Sequence, residues 1–237
     1  MNRRRHLLAL ALLLAGISAP AKGASPVEQR GGHFQWARLK SSYKYWDRHP
    51  QAENFIINFI RQETTLNVAS AWAAADVSDL ESLSRYPFLY AEGLQGISTE
   101  ADQRNLREYL ERGGFLFIDG CINTSEVNPV PDRFYDLQVE GLATILPGAE
   151  IRELPVGHEI FNCFFRLPNG IPRTYQENRY DPRLAKYGLF GIYYRDRLVG
   201  ALDLAGLKCG WSYPRIPDQK KECMQMLVNI YVFALTN

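Results

Sequence analysis

Residues 113–121, Gly-Gly-Phe-Leu-Phe-Ile-Asp-Gly-Cys, constrain this chain more than any other stretch. Paired glycines end a helix, because glycine adopts the left-handed backbone that a helix stop requires. Four apolar residues, Phe115, Leu116, Phe117 and Ile118, then form a short buried strand that ends on Asp119. In an open α/β sheet, ligands bind at the loops that follow such strands. The loop here carries an acid, Asp119, and a thiol, Cys121.

The rest of the chain repeats this alternation of strand and amphipathic helix. Residues 33–39 predict a first strand and residues 66–71 a second, with a helix between them that opens near Pro50 and buries Phe55, Ile56, Phe59 and Ile60. Residues 79–84 predict a short helical turn, and residues 86–91 a third strand with Pro87 at its start. A helix capped by Ser98 or Thr99 follows, with Leu106, Tyr109 and Leu110 facing inward and Gly113 as its stop. Pro131 opens another helix that buries Phe134, Leu137, Leu142 and Ile145, and residues 150–153 form an edge strand. Residues 188–194 and 198–204 make a hairpin around Arg195-Asp196, and residues 219–235 a last helix. Strands alternating with helices imply a mostly parallel sheet covered on both faces, and the late hairpin adds an antiparallel part. The expected class is therefore α/β: a flavodoxin-like three-layer sandwich.

The first residues read as an export signal instead of part of the fold. Arg3, Arg4 and Arg5 precede the apolar run 7–17, which at eleven residues is far short of the roughly 20 that a membrane span needs. Ala19 and Ala21 suit cleavage after residue 21, and Gly23 offers a second position. The expected division is 1–21 as a cleavable signal, 22–32 as a lead-in and 33–237 as one domain, in the periplasm or otherwise exported. Membrane contact would then come only through an uncleaved signal. The arginine run also fits a twin-arginine signal, although ordinary secretion signals carry adjacent arginines too.

Cleavage removes three of the 27 basic residues and none of the 26 acidic ones, which leaves a near-neutral chain. That balance excludes a nucleic-acid binder, which needs a basic face. Cys121, Cys163, Cys209 and Cys223 form no CxxC pair, so a zinc knuckle is unsupported and disulfide pairing stays open. The sequence contains no GxGxxG, P-loop, HExxH or GxSxG, so no cofactor or metal is expected.

Five further residues are candidates to line a pocket. Glu92 and Asp119 each end a strand, and neighbouring strands would set them on one rim, where paired carboxylates serve acid–base work or hold a hard cation. Asp119 could instead bond the amides of its own loop. Trp46 and Asp47 follow the first strand; the tryptophan lines the same rim or covers the sheet edge, and the aspartate could cap the next helix. Asp203 precedes Cys209-Gly210-Trp211, a packed turn closing the pocket from the other side.

The ordered runs YPFLYAEG, LREYLERGGFLFIDG, LPVGHEIF and DLAGLKCGW, with a last helix ending VNIYVFALTN, resemble the bacterial domain of unknown function four-one-five-nine. The resemblance implies a class I glutamine-amidotransferase-like fold and brings no established activity. Enzymes of that superfamily place a cysteine at the turn after a strand and a His-x-Glu downstream. The positions here are Cys121 and, with His and Glu adjacent, His158-Glu159. The turn reads Asp-Gly-Cys-Ile-Asn, without the glycine that follows the nucleophile in that superfamily. The functional expectation is an envelope module binding an unknown small molecule or a protein partner. Alternatives are a hydrolase using Cys121 with His158, or using the carboxylates, and a carbohydrate-related protein.

Overall fold

A computed structural model describes residues 34–120, 131–172, 174, 187–212 and 217–237. The expected signal and lead-in, and Cys121, lie outside the described residues. The chain runs β1 (Ala37–Lys40), α1 (Ala52–Glu63), β2 (Ala73–Asp76), α2 (Leu80–Ser84), β3 (Phe88–Ala91), α3 (Glu100–Glu111) and β4 (Phe115–Ile118). It continues with α4 (Pro131–Ile145), β5 (Glu150–Glu153), a 3-10 turn (Glu159–Phe161), β6 (Leu189–Tyr194), β7 (Arg197–Asp203), α5 (Leu207–Ser212) and α6 (Pro217–Thr236). Seven strands form one sheet in the order β2-β1-β3-β4-β7-β6-β5. The first five in that order are parallel, and the β5-β6-β7 end is antiparallel. The order 2-1-3-4 is the flavodoxin-like winding, and the architecture is a flavodoxin-like sandwich.

Strand alternation divides the side chains between two cores. Trp36, Phe88, Tyr90, Phe115, Phe117 and Ala201 meet α1, α6 and the 3-10 turn on one face. Leu89, Ala91, Leu116, Ile118 and Leu202 meet α2, α3 and α4 on the other. Because the side-chain period of a strand is two, each strand is committed to both cores at once, which is why β3 and β4 are apolar throughout.

The glycine stop before β4 works through its backbone. Gly113 has φ +109°, and the amides of Gly113 and Gly114 donate to the carbonyls of Leu110 and Tyr109 at 3.2 and 3.0 Å. At the other end of α3, Thr99 accepts from the Asp102 amide at 3.1 Å. The turn between β6 and β7 places Arg195 and Asp196 both at positive φ, as a tight two-residue hairpin requires.

Several sequence expectations need correction. The first strand starts at Ala37 instead of residue 33, since Phe34 makes only an isolated bridge to Val68. The second strand is Ala73–Asp76, not residues 66–71. Pairing begins at Phe34–Val68 and resumes at Ala37–Ala73, so three steps along one segment face five along the other. The extra residues bend the chain and break the ladder, and local strand propensity cannot show that. Phe55 is 43% exposed; Ile57, not Phe55, completes the buried stripe of α1. Leu137 is only half-buried, and Gln138 takes the inward position of α4. Cys209-Gly210-Trp211 lies in a helix, α5, instead of a turn.

Candidate functional site

The carboxyl edge of the sheet gathers charge that the rest of the core excludes. Glu92 comes two residues after Tyr90, Asp119 two after Phe117 and Asp203 two after Ala201, so all three acids point to the α1–α6 face. The registers Tyr90–Phe117 and Phe117–Ala201 carry forward to set Glu92, Asp119 and Asp203 in one row across β3, β4 and β7. The Asp119 amide still donates to Ala91 at 3.0 Å, so the ladder holds to this point. Adjacent strands stand about 4.8 Å apart, which makes the three carboxyls neighbours.

Two buried cations face this row. Arg38 of β1 donates to Glu53 of α1 at 2.7 Å, to Glu92 at 3.4 Å, and to the backbone oxygens of Trp46 and Arg48 at 2.6 and 3.1 Å. Lys208 of α5 pairs with Glu92 and donates to the Arg48 oxygen at 2.9 Å. Both cations stand over the Tyr90 ring, at 5.1 and 5.0 Å from its centre, and the Tyr90 hydroxyl donates to the Asp119 backbone oxygen at 3.1 Å. Arg38, Glu53, Asp119, Asp203 and Lys208 are each 0% exposed and Glu92 is 6% exposed. A buried charge is tolerated only when it is paired and hydrogen-bonded, and the two cations satisfy that condition between them.

The carboxyls are shifted by this surrounding. Burial pushes Asp119 well above the usual carboxylate range, and the neighbouring Asp203 pushes the same way. Asp203 is raised by burial to about 6, held back by the amides of Leu207 and Ala205, which donate to it at 2.8 and 3.0 Å. Neither Asp119 side-chain oxygen receives a donor from another described group. Burial and the mutual repulsion of two adjacent carboxylates therefore favour a state in which this pair keeps a proton. Burial also raises Glu53, against the pull of Arg38 and Lys208. Among the described residues, no three His, Cys, Asp or Glu side chains are placed to hold a metal ion.

The sequence candidates fall into distinct places. Glu92, Asp119 and Asp203 stand together in the row. Trp46 reaches the site through its backbone oxygen, while its ring lies edge-on to Trp72 at 6.3 Å. Asp47 lies half-buried in the same loop and does not cap α1; Gln51 holds that position, without a side-chain bond. Cys121 follows Gly120 and lies outside the described residues. His158 caps the 3-10 turn, where its Nδ1 accepts from the Ile160 amide at 3.2 Å, and its ring packs on Phe233 at 5.9 Å. Phe233 in turn packs on Phe115, the first residue of β4. Cys223, whose thiol feels the charges of Asp203 and Asp119, marks the acid end of α6. Ten residues of helix separate Cys223 from Phe233, about 15 Å at the helical rise. His158 thus sits by the amino edge of the sheet, and the acids by the carboxyl edge.

Arg38, Lys208, Glu53 and Tyr90 were not among the sequence candidates. A signal existed for one of them: Arg38 interrupts the otherwise apolar Trp36-Ala37-Arg38-Leu39 on an inward position. Lys208 and Glu53 carry no such mark, because lysine and glutamate on helices are ordinarily solvent-facing.

Residues 35–235 match the model of a family described as a domain of unknown function, DUF4159. The chain belongs to the DUF4159 family. No curated protein matches it. Within the DUF4159 domain the matched stretch includes every residue of the acid row and both cations. Of the cysteines in described residues, Cys163, Cys209 and Cys223 are all free thiols.

Proposed function

We propose that the DUF4159 domain of this chain is an exported, amidotransferase-like module of the bacterial envelope. It binds a small, neutral, polar molecule at the carboxyl edge between β1, β3 and β4. The observation that carries this reading is a set of unpartnered polar atoms in one buried place. Arg38 Nε, Glu53 Oε2, Glu92 Oε1 and both Asp119 oxygens have no hydrogen-bond partner among the described residues. Buried polar atoms are ordinarily bonded, and groups left over at a site await water or a ligand. The position supports it too, because the chain turns from β1 to opposite sides of the sheet at β2 and β3, and ligands of open α/β sheets sit at that crevice. Neutrality follows from the charges: the carboxylates of Glu53 and Glu92 already offset Arg38 and Lys208. A hydroxyl- or amide-bearing molecule would use the spare donor and acceptors without adding a buried charge.

The test is a thermal-shift screen of the purified chain against neutral monosaccharides, polyols and primary amides. A ligand of the folded state raises the midpoint in proportion to its saturation. The rise is expected to vanish in Asp119→Asn, which keeps the shape and turns a hydroxyl donor into an amide. No rise with any neutral solute, or a rise untouched by that variant, would remove the rim as the binding site. Export is tested separately by the amino terminus of the secreted protein, expected at residue 22 or 24.

A carboxylate-dependent hydrolase is the second reading, favoured by the adjacent buried carboxyls of Asp119 and Asp203, both raised above the usual range. It predicts turnover that Asp119→Asn and Asp203→Asn each abolish.

A further inference from the structure

A second concavity opens on the same face of the domain, apart from the acid row. It encloses about 860 Å³ between residues 166–172 on one side and Glu222 and Gln225 of α6 on the other, with Tyr187 at one end. That volume lies in the range of roughly 300–1,000 Å³ that small-molecule and peptide sites occupy. Leu167, Ile171 and two prolines, Pro168 and Pro172, give the cleft its apolar surface.

The wall formed by residues 166–172 is built in advance of any ligand. Fully buried Asn229 clamps the backbone just before it, accepting from the Phe165 amide at 2.7 Å and donating to the Phe165 oxygen at 2.9 Å. The Leu167 amide donates to Phe161 at 2.9 Å, and Gly170, at φ +77°, closes a turn onto Leu167 at 3.0 Å. The prolines fix two further backbone angles. A preformed wall lowers the ordering cost of binding.

The polar groups that line the cleft include charges of both signs. Arg166 and Glu222 carry opposite charges and line the same space, yet they form no ion pair with each other or with another described residue. The amides of Asn169 and Gln225 are likewise without a hydrogen bond among the described residues. Two charges of opposite sign and two amides, none with a partner among the described residues, and an apolar floor match a molecule with a carboxylate, an ammonium, peptide groups and an apolar side chain.

We propose that this cleft binds a short peptide with free termini, its carboxylate on Arg166, its ammonium on Glu222, and its side chain on Leu167 and Ile171. The inference stands independently of the rim reading, since it shares no residue with it.

The test is an amide-detected NMR titration of the full chain with the tripeptide Ala-Leu-Ala. Saturable shifts are expected at Gly170 and Asn169. N-acetylation of the peptide and Glu222→Gln should each weaken binding, roughly two- to fivefold as for an exposed ion pair, and together no more than either alone. Carboxy-terminal amidation and Arg166→Gln should behave as the second such pair. Absence of saturable shifts in residues 166–172 at millimolar peptide would overturn the proposal. So would affinity indifferent to both blocked peptides, a result that needs no variant to fold.

Discussion

Lys208 of α5 and Glu92 at the end of β3 are held together out of solvent, 116 positions apart in the chain, with the Arg48 backbone oxygen as the third corner. This pairing ties the loop after β1 to the loop after β3 and to the helix after β7. Three separate segments therefore depend on one ammonium group. Arg38 supplies the same service from β1, through the Trp46 and Arg48 oxygens.

Removing one partner of such a pair leaves the other charge buried. Lys208→Met should therefore destabilise the domain by about 3–5 kcal/mol, the range for breaking a buried ion pair. Glu92→Gln added to it should restore part of the loss, because the stranded carboxylate is gone, and a double-mutant cycle should show coupling of about 0.5–3 kcal/mol. Urea unfolding of the two singles and the double measures this; strict additivity would show that the pair is not coupled.

Arg38→Lys tests the fork. Arg38 donates through two nitrogens to four oxygens. A lysine ammonium is a point charge and cannot span them. About 1–3 kcal/mol should be lost, the cost of stranding buried acceptors, even though the charge is kept. An unchanged melting midpoint would mean that charge alone matters at this position.

The acid pair sets a pH dependence of defined sign. Both carboxyls are raised in the folded state, Asp203 to about 6 and Asp119 well above the usual carboxylate range. The native protein then binds more protons than the unfolded chain above the ordinary aspartate range. Stability from this pair is fully present below about pH 4 and is lost as the pH rises through 6 and beyond. Lys208 and Glu92 also face the pair: the charge of Lys208 lowers Asp119 and tempers the effect, while that of Glu92 raises it and adds to the effect. Asp119→Asn mimics the protonated form and should flatten the slope between pH 4.5 and 7 while keeping neutral-pH stability. Asp203→Asn should instead lose about 1–3 kcal/mol, because charged acceptance from the amides of Ala205 and Leu207 is gone. Melting midpoints across that pH range decide it; a wild-type slope in Asp119→Asn would show that the pair does not hold the proton.

Gly210 is the point where α5 meets α6. A methyl group added there would run into the Cys223 sulfur. Gly210→Ala should cost about 1–3 kcal/mol by overpacking, and Cys223→Ala should recover part of it by removing the sulfur. A neutral Gly210→Ala variant would mean that the two helices separate freely.

How far the sequence reached depends on which physical effect sets each feature. Strands β3 and β4 were legible because burial on both faces leaves an uninterrupted apolar run. The stop at Gly113 and the cap at Thr99 were legible because their causes lie within a few residues. Glu92, Asp119 and Asp203 could be named because each ends an apolar strand, so that an acid there stands out. Strand β2 was not legible: Ala73, Ala74 and Ala75 have little strand propensity of their own and pair only because β1 offers an edge. The short helix α5 was missed for a similar reason, since it forms where Asp203 receives the Ala205 and Leu207 amides.

The sequence by itself determined the class of fold, the alternation of helix and strand, and the acids that close three strands, because local pattern and propensity act over a few residues. Only the tertiary structure decided which charges meet. It brought Lys208 and Glu53 from two helices against Arg38 and Glu92, and it carried His158 to the opposite edge from the acids. Ion pairing and desolvation depend on distance in space, and chain separation says nothing of that distance until the sheet order is known.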